Sequence, residues 1–312
     1  MLAAMFGSVA VVGAGAVGLY YGGRLAAAGE DVRFLVRSDY EGMREKGLTV
    51  ESIHGDFRLG DPQIIRSAAE IGPVDLVIVT WKATANAHYE DVITPLRHEQ
   101  TVVLTLQNGL GNTERLGELF GPENVMGGLC FVCINRIEPG LVRHTGGGPV
   151  VVGEVVGGSM GRLDALVERF RAAGIDCRAV EDLSLAQWMK LVWNVPFNGL
   201  TIAEGGIDTE ALLAMPDGEE KVRGLMREVL AGAKALGREI PEDFMDQQVE
   251  VTRPMGKYRP SSMIDYVEGR DVEVEGIWEE PLRRAKAAGA ELPQWEELLG
   301  RIRRRLEERR FK

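Results

Sequence analysis

The 312-residue chain contains 36 Lys and Arg against 47 Asp and Glu, a formal net charge of −11 at pH 7. This acidic balance argues against a general nucleic-acid-binding protein, because such proteins carry a net basic surface. With 45% hydrophobic and 27% charged residues, the composition is that of a folded protein, and the length suits two domains better than one.

The first 23 residues carry no charged side chain. They lack a positively charged start, and five glycines interrupt them from Gly13 onward, so they resemble neither a signal peptide nor a membrane span. A buried strand, a glycine turn and a helix explain the segment better. We therefore expect a soluble, cytoplasmic protein with no membrane partner.

The first half of the chain alternates short hydrophobic runs with helical stretches, which predicts βαβ units and a parallel sheet. The predicted fold class is therefore α/β, with an N-terminal Rossmann-type dinucleotide-binding domain. The predicted strands are Val9–Val12, Val32–Val36, Leu76–Val79, Val102–Leu106, Val150–Val152 and Asp176–Val180, and the predicted helices are Val17–Ala28 and Arg162–Ala173.

The second half of the chain reads as helices separated by glycine and proline, and we predict an all-helical C-terminal domain there. The boundary is placed near residue 181, with the α/β domain at 1–181, the helical domain at 182–312, and a cleft shared by the two. The predicted helices are Leu185–Trp193, Glu219–Leu236, Glu242–Thr252, Ile277–Ala288 and Trp295–Arg310.

The run Gly13-Ala14-Gly15-Ala16-Val17-Gly18 has the G-x-G-x-x-G pattern, and it follows the first predicted strand and opens the first helix. In that context the glycines allow a tight turn and a close approach to a pyrophosphate at the helix N-terminus. The alternative is a packing turn with no ligand.

The second strand ends in Val36-Arg37-Ser38, and a guanidinium without a carboxylate there favours the 2′-phosphate of NADPH over NADH. An exposed surface arginine is the alternative.

Polar side chains follow two later strands. Lys82 lies in Thr80-Trp81-Lys82-Ala83, and Asn108 lies in Gln107-Asn108-Gly109. The carboxyl ends of strands line the ligand crevice of open α/β sheets, so both are candidates to contact the cofactor. Each is also compatible with an ordinary loop residue.

Lys190, Asn194 and Asn198 recur every fourth residue in an otherwise apolar helix, which places them on one face. Pro196 predicts a kink that could displace Asn198. Such a stripe could serve a reaction or form a hydrogen-bonded asparagine pair between helices.

Three cysteines, Cys130, Cys133 and Cys177, are too few for a disulfide framework and fit a reducing compartment. The C-x-x-C spacing of Cys130 and Cys133 lacks a second Cys or His pair, so no metal is expected and a half-buried strand is favoured. The basic run from Arg301 to Lys312 is interpreted as a solvated helix end rather than a nucleic-acid tail.

In this order, the motifs resemble the ketopantoate reductase (2-dehydropantoate 2-reductase) family over nearly the whole chain. Besides the residues above, the resemblance rests on His144 before a glycine-rich turn, Ser261-Ser262-Met263, and Glu273-Val274-Glu275-Gly276. It implies NADPH-dependent reduction of 2-dehydropantoate to pantoate. It further implies that Lys190 is the catalytic lysine, that Asn194, Asn198, Ser262 and Glu273 line the substrate cleft, and that Cys133 runs beside the cofactor with Arg37, Lys82 and Asn108.

The sequence departs from the family in two places: Val272-Glu273-Val274-Glu275 replaces the usual Thr-Glu-Ile-Asp, and a further cleft asparagine has no match, with Asp208 nearby. The chemistry of 2-oxo-acid reduction requires a proton donor at the carbonyl oxygen, which Lys190 can supply. Ser262 and Asn198 could bind the substrate carboxylate or hydroxyl, and Glu273 could accept from the substrate hydroxyl or hold the lysine. Asn108 is a further candidate for contact with the substrate. The alternatives are a reductase of another 2-oxo acid, a β-hydroxyacid dehydrogenase, and a non-catalytic NADP-binding redox sensor. A homodimer is left open.

Overall fold

A computed structural model describes residues 6–157 and 160–310 of the chain, without the side chains of residues 160 and 310. The chain divides into two compact units. The first unit comprises the residues up to Gln107 together with Asn112–Leu183. The second unit comprises Asn108–Gly111 together with the residues from Ser184 onward.

The first unit is built on one ten-stranded sheet. Its interior strands are buried on both faces, as the uninterrupted apolar runs predict. The strands are β1 Ser8–Val12, β2 Asp31–Leu35, β3 Leu48–Ser52, β4 Phe57–Leu59, β5 Gln63–Ile65, β6 Leu76–Val79, β7 Val102–Thr105, β8 Val125–Glu138, β9 Leu141–Glu154 and β10 Cys177–Ala179.

The strand order is β4-β3-β9-β8-β7-β6-β1-β2-β5, and β10 pairs with β9. The six strands β5-β2-β1-β6-β7-β8 run parallel in the doubly wound order of dinucleotide-binding sheets. The chain direction across the sheet reverses at β1 and β6, and ligands bind beyond the carboxyl ends of strands at such a point. The predicted Rossmann-type α/β fold class is confirmed.

The prediction of a wholly parallel sheet is wrong. The run Val150–Val152 belongs to β9, which pairs antiparallel with β8, and β3 and β4 also pair antiparallel. Only Pro139 and Gly140 connect β8 to β9, and so short a connection forces the antiparallel direction. Gly140 has a φ of +76°, the left-handed region that glycine reaches without strain. The predicted strand at Cys130 and Cys133 lies within β8 and is confirmed.

The helices of the first unit cover the sheet. Along the chain they alternate with the strands, as the predicted βαβ units require. The helices α2, α3, α4 and α5 and the strands β3, β4 and β5 were not predicted from the pattern of the sequence. The helices are α1 Ala16–Ala27, α2 Tyr40–Lys46, α3 Ala68–Ile71, α4 Tyr89–Ile93, α5 Asn112–Phe120 and α6 Met160–Ala172.

After residue 182 the described chain is helical, as predicted. One apolar core includes the three fully buried tryptophans Trp188, Trp278 and Trp295. A π-helical turn at Glu275–Glu279 precedes α12, where the sequence predicts a regular helix. The helices are α7 Leu183–Ala203, α8 Thr209–Ala214, α9 Gly218–Ala235, α10 Asp243–Thr252, α11 Ser261–Val267, α12 Glu280–Ala287 and α13 Pro293–Arg310.

Helix α7 is longer than predicted and continues through Pro196. The expected displacement of Asn198 does not occur, because its amide nitrogen remains 3.4 Å from Asn194 Oδ1 one turn earlier. Within residues 6–157 and 160–310, no helix combines the length and apolar composition needed to cross a bilayer.

His144 is a buried histidine on β9, with only 2% of its surface exposed. Its Nδ1 lies 2.9 Å from Ser52 Oγ, and its Nε2 lies 3.0 and 3.1 Å from the carbonyl oxygens of Gly146 and Gly147. Carbonyl oxygens only accept, so the neutral ring carries its proton on Nε2 and accepts from Ser52. Burial lowers the pKa of His144 below its ordinary value, and the neighbouring His54 lowers it further.

We therefore expect the free energy of unfolding to fall as the pH drops below about 6.5, the ordinary histidine pKa. In that range the unfolded chain binds a proton, whereas folded His144 stays neutral until the pH passes its lower folded-state pKa. The full stabilisation from His144 is present above that range. Within the range, the free energy of unfolding falls by at most about 1.4 kcal/mol per pH unit. Urea unfolding across this range should show a flatter profile for His144→Gln than for His88→Gln, an exposed histidine. Equal profiles would assign the acid sensitivity to other groups.

Candidate functional site

The glycine loop, residues 13–18, connects β1 to α1 and packs against the end of β6. Gly13 has a φ of +104°, and a Cβ atom there would overlap the backbone nitrogen of Trp81. A Cβ atom on Gly18 would overlap Gly13 O and Thr80 Oγ1, and Thr80 Oγ1 donates to Gly13 O at 2.6 Å. The first and third glycines are therefore required by the packing of the loop itself. The pattern of the sequence did not identify Thr80, although a hydroxyl residue at a strand end was the available signal.

Gly15 differs from these two glycines. A Cβ atom there would meet no atom within 4 Å, and its backbone (φ −86°, ψ −170°) is one that any residue adopts. It caps α1, whose first turn contains no acidic residue. Open space in front of the N–H groups of a first helical turn is the arrangement that receives a pyrophosphate. The loop, including Ala14, Ala16 and Val17, fits a dinucleotide.

Arg37 follows β2 and is exposed. The nearest following carboxylate, Asp39, is only 5% exposed, and it accepts from Arg136 Nη1 at 2.5 Å and from Ser38 Oγ at 2.9 Å. A carboxylate with these partners is poorly placed to accept from a ribose hydroxyl. The end of β2 therefore offers a cation, which suits a phosphate.

Lys82 and Cys133 belong to the same unit as the glycine loop. Lys82 follows Trp81 beyond the end of β6, where it precedes a 3₁₀ turn at Ala83–His88, and it is half-buried. Cys133 is half-buried on β8, and its carbonyl oxygen accepts from Thr145 Oγ1 at 3.4 Å. In the part of the chain that is described, no group of three His, Cys, Asp or Glu side chains could hold a metal ion.

The second unit brings Lys190 and Asn108 together, although 82 residues separate them in the chain. Lys190 Nζ donates to Asn108 Oδ1 at 2.8 Å. Leu110 N donates to Gly276 O at 2.8 Å, and a Cβ atom on Gly109 (φ +85°) would overlap Gly276. The short segment Asn108–Gly111 is thus fixed to the turn that follows Glu273, and it presents the Asn108 amide to the lysine.

Asn194, Asn198 and Ser262 form a buried polar row, with 7%, 1% and 1% of their surfaces exposed. Asn198 Nδ2 donates to Asn194 Oδ1 at 3.4 Å, and Ser262 N donates to Asn198 Oδ1 at 2.9 Å. Asn198 therefore fixes the first turn of α11 against α7 through its Oδ1, while its Nδ2 contacts Asn194 within α7. The alternative of a hydrogen-bonded asparagine pair is realised within one helix rather than between two.

Glu273 is 8% exposed and lies immediately before the helical run that contains the π-helical turn. Its carbonyl oxygen accepts from Ile277 N at 3.3 Å. Trp278, in the same turn, donates through Nε1 to Val195 O at 3.0 Å and so ties the segment to α7. The segment that carries Glu273 and the helix that carries Lys190 are therefore packed in one core.

Gln107 is excluded from this group. Its Oε1 accepts from Tyr89 Oη at 2.5 Å and from Thr105 Oγ1 at 2.8 Å, and its Nε2 donates to Asn86 Oδ1 at 2.8 Å. These contacts lie in the first unit and hold the end of β7. The two adjacent residues therefore have different partners: Gln107 contacts side chains of the first unit, and Asn108 contacts Lys190 in the second.

Two family models match the chain in sequence order. The model described as ketopantoate reductase PanE/ApbA matches residues 9–157, and the model described as its C-terminal part matches residues 182–306. A 2-dehydropantoate 2-reductase from Nostoc sp. is 41% identical over 290 residues, which cover 91% of each chain. The chain belongs to the ketopantoate reductase family.

Solved structures agree with this assignment. The crystal structure of 2-dehydropantoate 2-reductase from Geobacter metallireducens is 46% identical, with a TM-score of 0.93 over 95% of this chain and 99% of that one. The structure of D-mandelate dehydrogenase with NADH and anilino(oxo)acetate has a TM-score of 0.89 over 97% of this chain and 99% of that one. Its identity is 21%, so it shows a shared fold alone. The family resemblance predicted from the motifs is confirmed.

Proposed function

We propose that the protein catalyses the NADPH-dependent reduction of 2-dehydropantoate to pantoate, a step towards pantothenate and coenzyme A. Membership of the family makes the chain an oxidoreductase that uses a pyridine nucleotide. The observation that carries the proposal is the Lys190 amino group held by Asn108 Oδ1 at 2.8 Å, on the same helix as the buried row of Asn194, Asn198 and Ser262.

NADPH, when bound, supplies the hydride, and the chain supplies binding and orientation. The glycine loop would hold the pyrophosphate, Arg37 the 2′-phosphate, and Lys82 a further cofactor phosphate or ribose. Cys133 would contribute backbone beside the cofactor. Asn108 would serve the cofactor and the substrate, because its side chain already meets the lysine.

Lys190 is assigned as the proton donor. Reduction of a 2-oxo group places negative charge on the carbonyl oxygen, and an ammonium group directed at that oxygen stabilises the charge and then donates the proton. Asn108 accepts one N–H of the ammonium group and so restricts its direction. Asn194, Asn198 and Ser262 are assigned to the substrate carboxylate or hydroxyl, and Asn198 Oδ1 also accepts from the backbone N–H of Ser262. Glu273 is assigned to the substrate hydroxyl or to the lysine.

Oxidation of NADPH by the purified protein with 2-dehydropantoate tests this function directly. A kcat/KM for 2-dehydropantoate at least tenfold above that for pyruvate, 2-oxobutyrate and phenylglyoxylate would support the assignment. A higher value for one of the others would transfer the function to that 2-oxo acid. Binding of NADPH without turnover of any of them would favour the redox-sensor alternative.

Asp208 favours keeping another 2-oxo acid as a second candidate. The family's further cleft asparagine has no match in this chain, and Asp208 lies nearby in sequence. Asp208 caps α8, and its Oδ1 accepts from Ala211 N at 2.8 Å. A carboxylate engaged in a helix cap does not replace an asparagine amide that donates to a substrate, so the substrate need not be identical.

Arg37→Ala should raise the KM for NADPH by about tenfold or more and leave the KM for NADH nearly unchanged. A charge-assisted hydrogen bond to a phosphate accounts for roughly 1.5–3 kcal/mol, and only NADPH carries the 2′-phosphate. Steady-state kinetics with both cofactors measure the difference, with Arg44→Ala, an exposed arginine of α2, as the matched control. Equal losses with both cofactors would remove Arg37 from recognition of the 2′-phosphate.

A further inference from the structure

The basic run at the end of the chain is not merely a solvated helix end. Three of its arginines contact the segments that carry the candidate site residues of the second unit. Arg305 Nε donates to Ala203 O at 3.0 Å at the end of α7, and Arg303 Nη2 pairs with Glu279 Oε1 at 2.7 Å in the π-helical turn. Arg309 reaches the end of α11. Helix α13 therefore contacts the segments that carry Lys190, Glu273 and Ser262.

Arg309 makes the densest of these contacts. Its Nη1 lies 3.2 Å from Asp265 O, 2.9 Å from Tyr266 O and 3.0 Å from Arg270 O. The first two carbonyl groups belong to the last turn of α11, where the helix dipole favours a cation, and they also accept from the backbone N–H groups of Arg270 and Gly269. The third lies in the connection that follows. One guanidinium thus joins the end of α11 to the segment leading to Glu273.

This connection is short and is also held from within. Arg270 Nε donates to Asp265 Oδ1 at 2.9 Å, and Asp265 is only 4% exposed. Only two residues separate Arg270 from Glu273. A change in the path of the chain at Arg270 is therefore transmitted to the Glu273 backbone within about 10 Å of chain.

Both sides of Glu273 are held by α13. Arg309 fixes the chain before it through the carbonyl group of Arg270, and Arg303 fixes the chain after it through Glu279. The contact of Arg303 joins an exposed arginine to the half-buried Glu279, and an ion pair at the surface contributes little to stability. The contacts of Arg309 with Asp265 O and Tyr266 O are half-buried, its contact with Arg270 O is exposed, and the ring of Tyr266 lies 5.7 Å from the guanidinium carbon.

We propose that Arg309 is a positioning residue for substrate binding, which acts by holding Glu273 in place. The inference rests on the proposed function, because it takes Glu273 as the residue that binds the substrate hydroxyl. Arg309 touches neither cofactor nor substrate in this account. Its Nη1 lies within hydrogen-bond distance of three carbonyl oxygens, and through that of Arg270 it holds the backbone that leads to Glu273.

The test compares Arg309→Met, which keeps the length and removes the donors, with Arg309→Lys, which keeps a cation with three N–H groups. Arg304→Met is the matched control, because Arg304 is exposed on the same helix. We expect Arg309→Met to raise the KM for the 2-oxo acid by roughly 10–100-fold, the scale of a small misplacement at a reacting site. The Kd for NADPH, measured by titration, should stay within about twofold, and Arg309→Lys should recover most of the loss.

A double-mutant cycle with Glu273→Ala distinguishes positioning from a general structural role. If Arg309 acts through Glu273, Arg309→Met should add almost nothing to the KM of the Glu273→Ala protein. Independent, multiplied effects of the two changes would overturn the proposal. So would an Arg309→Met protein with the kinetics of Arg304→Met, or one in which the Tm and the NADPH affinity fall together with the rise in KM.

Two further outcomes are separable. If Arg309→Met does not fold, Arg309→Gln, which retains an amide donor, enters the same cycle with the same criteria. If the unmodified protein turns over none of the 2-oxo acids while binding NADPH, the proposed function fails and the positioning role fails with it. Turnover by the unmodified protein with a normal KM in the Arg309 variants overturns the positioning role alone.

Discussion

Replacing Lys190 with alanine should lower kcat by roughly 10²–10⁴-fold, the usual contribution of a positioned general acid. The side chain is half-buried, and its Nζ donates to Asn108 Oδ1 at 2.8 Å. No other lysine or arginine lies in the row formed with Asn194 and Asn198, so alanine leaves water as the replacement donor there. Water lacks the fixed direction and the positive charge that stabilise the developing oxyanion.

Binding of NADPH should survive this change, because the glycine loop and Arg37 belong to the other unit. A direct NADPH titration beside steady-state kinetics separates the two effects. Lys234→Ala, an exposed lysine of α9, is the matched control and should keep a normal kcat. A Lys190→Ala protein with a near-normal kcat would show that another group donates the proton.

Glu273→Ala provides the contrast to Lys190→Ala within the same unit. If Glu273 mainly holds the substrate hydroxyl, its loss should raise KM at least as much as it lowers kcat. A loss confined to kcat would instead indicate that the carboxylate acts on the lysine. The two variants thus decide which of the two roles assigned to Glu273 is correct.

Gly15→Val should weaken NADPH binding by roughly 10–100-fold, since forcing a side chain into a closely packed contact costs about 1–3 kcal/mol. The space in front of Gly15 is open in the protein, where a Cβ atom meets nothing within 4 Å. If the loop holds the pyrophosphate as proposed, a larger side chain at this position would overlap the ligand and not the protein. The stability of Gly15→Ala should stay equal to that of the parent protein or rise by up to about 1 kcal/mol, because its backbone suits alanine.

Gly13→Ala is the control, because it should lower the stability of the protein, whereas Gly15→Ala should keep or raise it. Its φ of +104° and the overlap of a Cβ atom with Trp81 should lower the free energy of unfolding by about 1–3 kcal/mol. Chemical unfolding without cofactor, followed by NADPH titration, measures both properties. Unimpaired NADPH binding by Gly15→Val would refute the assignment of the loop to the pyrophosphate.

The sequence by itself determined the parts of this protein that depend on neighbouring residues. The apolar run Val9–Val12, the glycines that follow it and the helix after them identified the first βαβ unit, because strand, turn and helix preferences act over a few residues. The four-residue spacing of Lys190, Asn194 and Asn198 placed them on one face for the same reason. The ordered motifs also identified the family before any contact was known.

Tertiary structure alone decided the contacts between distant segments. The antiparallel pairing of β8 with β9, the contact of Lys190 with Asn108 across 82 residues and the attachment of Ser262 to Asn198 have no periodic signal in the chain. The contacts of Arg309 have no such signal either. The basic run that includes it predicted a solvated helix end, whereas its partners lie about forty residues earlier in the chain. Local preferences do not select such pairs. The complete fold removes polar groups from water, and each buried group then needs a hydrogen-bond partner, which a distant segment supplies.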